Sequence, residues 1–200
     1  MIATKTKLTF DRFLEEYPED GSYELVDGEI LEMRATRGHD SVADFLLFAF
    51  NDEVRRLNLD FVVKNKLVLR TITKNGQEQG RNPDVSVVNK QVWRSNPAAY
   101  SALETPIQLA VEVTSTNWDD DYIDKLDEYE RLGILEYWIV DYLAIASRDY
   151  LGKPKVPTVF VYQLAESGNY HGTAFTGDQR IISSTFPELT LTAAEVFQAE

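Results

Sequence analysis

Two hydrophobic runs each carry one carboxylate: Arg81-Asn82-Pro83-Asp84-Val85-Ser86-Val87-Val88 and Ile107-Gln108-Leu109-Ala110-Val111-Glu112-Val113. An ionised carboxylate inside a strand built for burial is costly to desolvate unless a cation or hydrogen bonds compensate it. Two such groups point to a shared metal ion. The 200 residues include no cysteine, so a metal would be held by oxygen or imidazole. Two carboxylates and waters make the partial octahedral shell of Mg2+ or Mn2+ rather than a zinc set, and they leave room for a substrate phosphate.

The chemistry that such a centre performs is phosphodiester hydrolysis. The metal polarises a phosphoryl oxygen and lowers the pKa of a bound water, and a lysine positions that water or stabilises charge in the transition state. Lys125 is the candidate. It shares an i, i+3, i+7, i+10 stripe with Tyr122, Tyr129 and Leu132, and a lysine on a buried stripe needs a partner. The competing reading is an exposed Asp121 to Lys125 ion pair at i, i+4, worth about a few tenths of a kcal/mol.

The elements that must carry these residues follow from periodicity. Asp84 to Val88 and the run 107–114 are almost continuously apolar, as in central strands covered on both faces. Alternation puts Gln108, Ala110, Glu112 and Thr114 on one face, and Asp84 with Ser86 and Val88 on one face of its own strand. Paired strands would bring the two carboxylates together near one edge or end. A helix follows from Asn117, a candidate N-cap before an acidic first turn, to about Leu132, and Gly133 ends it. Glu136 to Asp141 is β-branched and aromatic, so strand, helix and strand form a crossover within one sheet.

Upstream, residues 8–17 read as a short helix capped by Thr9 and closed before Pro18, packed as a lid. Asp27-Gly28 between two alternating runs marks a tight hairpin. Residues 40–57 place Val42, Phe45, Leu46, Phe50 and Val54 at helical spacing. Residues 61–71 read as one strand, residues 91–101 as a short helix or turn, and the tail as a hairpin (158–164 and 170–175) before a terminal helix at 193–197.

The formal net charge is −13, which argues against a general nucleic-acid-coating protein. The charge is uneven: between Arg34 and Arg94 there are 11 basic and 7 acidic residues, +4, leaving −17 elsewhere. That basic part fits a phosphate ligand or an ordinary mixed-charge surface. Residues 1–7 lack the apolar core of a signal peptide, and no apolar run approaches the roughly 18 residues of a membrane span. The expectation is one soluble, cytoplasmic domain over residues 1–200 with its core at about 20–165, and no membrane partner.

Asp84 after Pro83, and Glu112 in Val-Glu-Val, resemble the two acids of the PD-(D/E)xK nuclease superfamily. More closely, the chain is similar to the Uma-two family of restriction-type endonucleases. The words that carry the resemblance are Tyr23-Glu24-Leu25-Val26-Asp27-Gly28-Glu29, Pro83-Asp84-Val85, Val111-Glu112-Val113-Thr114-Ser115, Asp124-Lys125-Leu126-Asp127-Glu128-Tyr129 and Gly133-Ile134-Leu135-Glu136-Tyr137-Trp138-Ile139-Val140-Asp141. The resemblance implies an α/β fold with a restriction-endonuclease-like core, a mixed central sheet flanked by helices, and N-terminal and C-terminal β-hairpins. It implies divalent-metal dependence, DNA as substrate, and Asp84 and Glu112 as metal ligands; the Val113 carbonyl is a candidate for a further one.

One departure stands out: Thr114 occupies the place of the superfamily lysine, and the resemblance implies that Lys125 takes over that function from the next helix. Glu29 and His39 match family positions, an acid after Asp-Gly and a histidine opening the long helix. Glu29 is either a metal ligand through water or an exposed hairpin carboxylate, and His39 either a site residue or a helix-start histidine. Tyr129, Tyr137 and Trp138 read as core aromatics rather than a base-stacking platform. The leading expectation is a Mg2+-dependent DNA endonuclease that pairs as a homodimer. The alternatives are a catalytically inactive nuclease-fold module for binding or dimerisation, and a nuclease acting on RNA or on particular nucleic-acid structures.

Overall fold

The computed structural model describes residues 7–18 and 20–199; the part of the opening segment comprising residues 1–6 lies outside them. Thr9 accepts from the Arg12 N–H and opens α1 (Phe10–Glu16). Asp27 and Gly28 adopt φ values of 52° and 80°, the left-handed pair a two-residue hairpin requires, and they join β1 (Tyr23–Val26) to β2 (Glu29–Glu32). The long helix is α2 (Arg37–Arg56), capped by Thr36. There follow β3 (Phe61–Lys64), β4 (Val68–Ile72), β5 (Glu78–Arg81), β6 (Val85–Asn89), α3 (Lys90–Arg94), β7 (Ala102–Leu103) and β8 (Leu109–Val113). A π-helical turn (Asp120–Asp124) leads into α4 (Lys125–Leu132), which Gly133 ends at φ 87°. Then come β9 (Glu136–Asp141), α5 (Arg148–Leu151), β10 (Thr158–Leu164), β11 (Tyr170–Phe175) and α6 (Ala193–Phe197).

The strands form two sheets. The central one has the order β11-β10-β9-β8-β6-β3 and is mixed, with β8 and β9 parallel and the other neighbours antiparallel. The second has the order β2-β1-β5-β4-β7. The expected single strand at 61–71 is therefore two strands in different sheets. Exposed Asn65 and Lys66 interrupt it, and the chain crosses there from one sheet to the other. Likewise the N-terminal hairpin is the edge of a five-stranded sheet.

Alternation gives the central sheet two apolar faces. Val85, Val87, Leu109, Val111, Val113, Trp138 and Val140 pack with Val42, Leu46 and Phe50 of α2. Val88, Ala110, Tyr137 and Ile139 pack with Tyr122 and Tyr129 of the following helix. Each Val, Leu, Ile or Phe among them contributes roughly 1.5–3 kcal/mol on burial. Ile181, Phe186, Leu189 and Val196 join the first face, so the apolar packing runs beyond residue 165. The helix α1 does not act as a lid: Phe10 and Phe13 bury against Leu25 and Val68 of the second sheet, and none of its residues lines the cavity described next. Phe13 needs Gly80 opposite, because a Cβ there would lie 2.9 Å from its ring.

Candidate functional site

The chain leaves the second sheet at Arg81 and enters the central sheet at Val85. At that seam a cavity of about 350 Å³ opens, lined by Glu24, His39, Asp84, Glu112, Val113, Asp121 and Lys125 among others. The antiparallel register pairs Val85 with Val111, which sets Asp84, one residue before its strand, beside Glu112 at the end of β8. The Val113 N–H donates to Asp84 Oδ2 at 2.7 Å, and His39 Nε2 lies 3.2 Å from the same oxygen.

Lys125 projects from the first turn of α4 and is 3% exposed. Its Nζ lies 3.0 Å from Glu112 Oε2, 3.2 Å from Asp121 Oδ1 and 3.4 Å from Glu24 Oε1. The pairing with Asp121 is thus real but buried, and it is one of three. The Tyr129 hydroxyl, one turn further along, donates to Glu112 Oε1 at 2.6 Å. Both Glu112 oxygens therefore receive a donor, one charged and one neutral.

A second cation braces the group from behind. Arg81, 2% exposed, donates through Nε and Nη2 to the two oxygens of Glu128, each at 2.8 Å, and through Nη1 to Glu24 at 3.1 Å. The Thr71 hydroxyl also donates to Glu128 at 2.6 Å, and the Asn82 N–H to Glu24 at 3.1 Å. Asp120 completes the Arg81 cluster at 3.2 Å. The bidentate fork suits guanidinium geometry, which lysine cannot copy.

Six carboxylates (Glu24, Asp84, Glu112, Asp120, Asp121, Glu128) thus surround two permanent cations and His39. This surplus acts on the titrations. Burial pushes the Glu112 carboxyl well above its ordinary range; Lys125 opposes this, and Asp84, Asp121 and Glu24 reinforce it. Burial also raises Asp121, to about 6, against the pull of Lys125. For Lys125 burial works downward, but Glu112, Glu24 and Asp121 outweigh it and hold the ammonium protonated. For His39 burial is the largest single influence and works downward, but the bond to Asp84 and the charges of Asp84, Asp40 and Asp121 together outweigh it, for a net upward shift.

A group of three or more His, Asp or Glu side chains gathered to hold an ion is absent among the described residues. The donors nevertheless fit a hard divalent cation. Magnesium is commonly held by one or two carboxylates plus waters and substrate phosphates, and Asp84 and Glu112 face one cavity whose negative charge exceeds its positive charge. Val113 lines the same cavity.

Of the residues expected from sequence, Asp84, Glu112, Val113, Lys125 and His39 come together here. Glu29 does not: it lies exposed on β2, opposite Val26, and is not part of the lining. Thr114 is buried outside the lining, and its Oγ1 has no hydrogen-bond partner among the described residues. Glu24, Asp121, Arg81 and Glu128 were not anticipated in the site. Glu24 carried the same signal as Glu112, an acid within a short apolar strand, whereas the partners of Arg81 are 47 and 57 residues away in sequence.

No curated protein matches the chain. Among solved structures, it is similar to a putative nuclease belonging to DUF820 from Anabaena variabilis ATCC 29413, at a TM-score of 0.70 and 18% identity over 95% of this chain and 97% of that one. At that identity the likeness is one of fold: a mixed α/β architecture with helices flanking its sheets. The family model described as "Putative restriction endonuclease" matches residues 10–194, and the chain belongs to that family, Uma2.

Proposed function

We propose that the protein is a divalent-metal-dependent DNA endonuclease that hydrolyses phosphodiester bonds. The observation that carries this reading is Lys125 Nζ at 3.0 Å from Glu112 Oε2, in the cavity that Asp84 also lines. Family membership adds the nuclease class.

In this reading Asp84 and Glu112 would hold Mg2+ or Mn2+, and the Val113 carbonyl would add a third oxygen. When bound, the ion supplies a Lewis acid for the phosphoryl oxygen and a more acidic water. The chain's own residues do the rest. The Val113 N–H and His39 fix the Asp84 carboxylate in place, as Tyr129 and Lys125 fix Glu112. Lys125 is cationic at neutral pH, so it serves as a charge stabiliser rather than a base. Asp121, raised to about 6, accepts the proton released as water oxygen bonds to phosphorus; the scissile P–O bond breaks and the leaving oxygen takes up a proton from solvent.

Cutting both strands favours a pair of such centres, so a homodimer is expected. The cysteine-free sequence is compatible with the reducing cytoplasm in which we place it. The test is cleavage of DNA with magnesium or manganese by the wild type, Asp84→Ala and Glu112→Ala, each checked for folding by circular dichroism. Both variants should lose cleavage and retain the fold. Wild-type rates from a folded Asp84→Ala would sink the assignment. The net charge of −13 favours the rival, an inactive binding or dimerisation module, and calorimetry separates the two: the enzyme binds manganese and Glu112→Ala does not, whereas the module binds none.

A further inference from the structure

A second depression, of about 580 Å³, lies along α3 and the segment that follows it, lined by Trp93, Arg94, Pro97, Tyr100 and Leu103 among others. It adjoins the candidate active site through one short loop. Asn65 and Lys66 line the site cavity, while the Ser101 hydroxyl donates to the Lys66 carbonyl at 2.5 Å and the Val68 N–H to the Ser101 carbonyl at 2.9 Å. β7, at the end of the depression, pairs with β4 through Val68 and Ala102.

The lining contains no carboxylate. Arg94 within it, and Lys66 and Lys90 beside it, form no ion pair among the described residues. In a chain of net charge −13 this is a local reversal of sign, complementary to a phosphodiester backbone. The aromatic content is divided. Trp93 is occupied, with Lys64 Nζ 4.7 Å from its ring centroid. Tyr100 is 65% exposed and has no ring partner among the described residues.

An exposed ring beside unpaired cations matches unstacked nucleobases on a charged strand. Duplex DNA presents phosphates and base edges there, with the base faces hidden in the stack. We infer that this groove holds an unpaired stretch of the DNA substrate flanking the scissile phosphate, with a base against Tyr100 and phosphates on Arg94 and Lys66. The inference rests on the nuclease reading and deepens it: the preferred substrate is a junction or fork rather than a continuous duplex.

The test is fluorescence anisotropy with the Asp84→Ala chain, which leaves DNA intact, titrated into a fluorescein-labelled fork and a blunt duplex, alone and with Arg94→Glu or Tyr100→Ala added. Both positions are exposed, so the fold tolerates these changes. The fork should bind more tightly than the duplex, and each substitution should weaken fork binding about tenfold. Arg94→Glu should also lower the salt dependence by about 0.7 in logarithmic slope. Equal fork binding by parent and variants, with the wild type still cutting the fork, overturns the groove and leaves the nuclease reading intact. A wild type that neither binds nor cuts any DNA overturns both. A change of sedimentation in Tyr100→Ala with fork binding unchanged assigns the groove to a second copy of the chain and likewise overturns the inference.

Discussion

Asp121→Asn probes the electrostatics of the cavity without touching the two acids assigned to the metal. The folded chain raises the Asp121 carboxyl from 3.8 to about 6, so it binds this proton more tightly than the unfolded chain does. Protons therefore favour folding: the contribution is present at low pH and is lost as pH rises through about 6. One unit below the folded pKa, at about pH 5, the group is about ten-to-one protonated, and the gain relative to about pH 8 is about 1.4 kcal/mol. Asparagine does not titrate. Whatever constant term the substitution carries through Lys125, the variant should improve relative to wild type by about 1.4 kcal/mol on going from about pH 5 to about pH 8. Glu112 and His39 shift stability in the same direction; both feel the Asp121 charge, so the substitution also weakens their upward shifts and adds to the difference with the same sign. Urea unfolding in EDTA at the two pH values measures it. A difference that stays the same at both refutes the account of a buried acid surplus.

Other substitutions test the bracing around that acid. Tyr129→Phe removes the donor to Glu112 Oε1 at 2.6 Å and leaves a buried acceptor short of a partner, so chemical denaturation should show a loss of about 1–3 kcal/mol, with slower cleavage. Arg81→Met strands Glu24 and Glu128 and should cost about 3–5 kcal/mol at neutral pH; Arg81→Lys should recover less than half of this by the same measurement, because the fork to Glu128 is lost. Gly80→Ala drives a Cβ to 2.9 Å from the Phe13 ring, and its melting temperature should fall in line with an overpacking cost of about 1–3 kcal/mol.

What the sequence discloses here is whatever local chemistry forces. Asp27-Gly28 can only be a tight turn, because the pair takes positive φ. Val85 to Val88 and Leu109 to Val113 are apolar on both faces because both faces are covered. Lys125 was placed by its stripe with Tyr122 and Tyr129, and that stripe is the buried one. What sequence hid depends on distant partners. Residues 61–71 alternate in part, and periodicity says nothing about which sheet a strand joins. Glu78–Arg81 is polar apart from Gly80, yet Arg81 is buried because acids from β1 and α4 satisfy it. Glu29 matched a motif, and a motif cannot tell that its side chain lies on the exposed edge of the second sheet.

The π-helical turn has a consequence for how such a site can be lost. The Lys125 N–H donates to the Asp120 carbonyl, five residues back, so the helix carries one residue more than an unbroken α-helix would. Each residue of α-helix turns about 100°. Deleting any one position from 120 to 124 would give a more regular helix and swing the acids upstream out of phase with Lys125 and Tyr129. The cavity is thus guarded by a length as well as by residue types. A lineage could keep Asp84, Glu112 and Lys125 unchanged and still be disarmed by a single in-frame codon loss that makes its helix better.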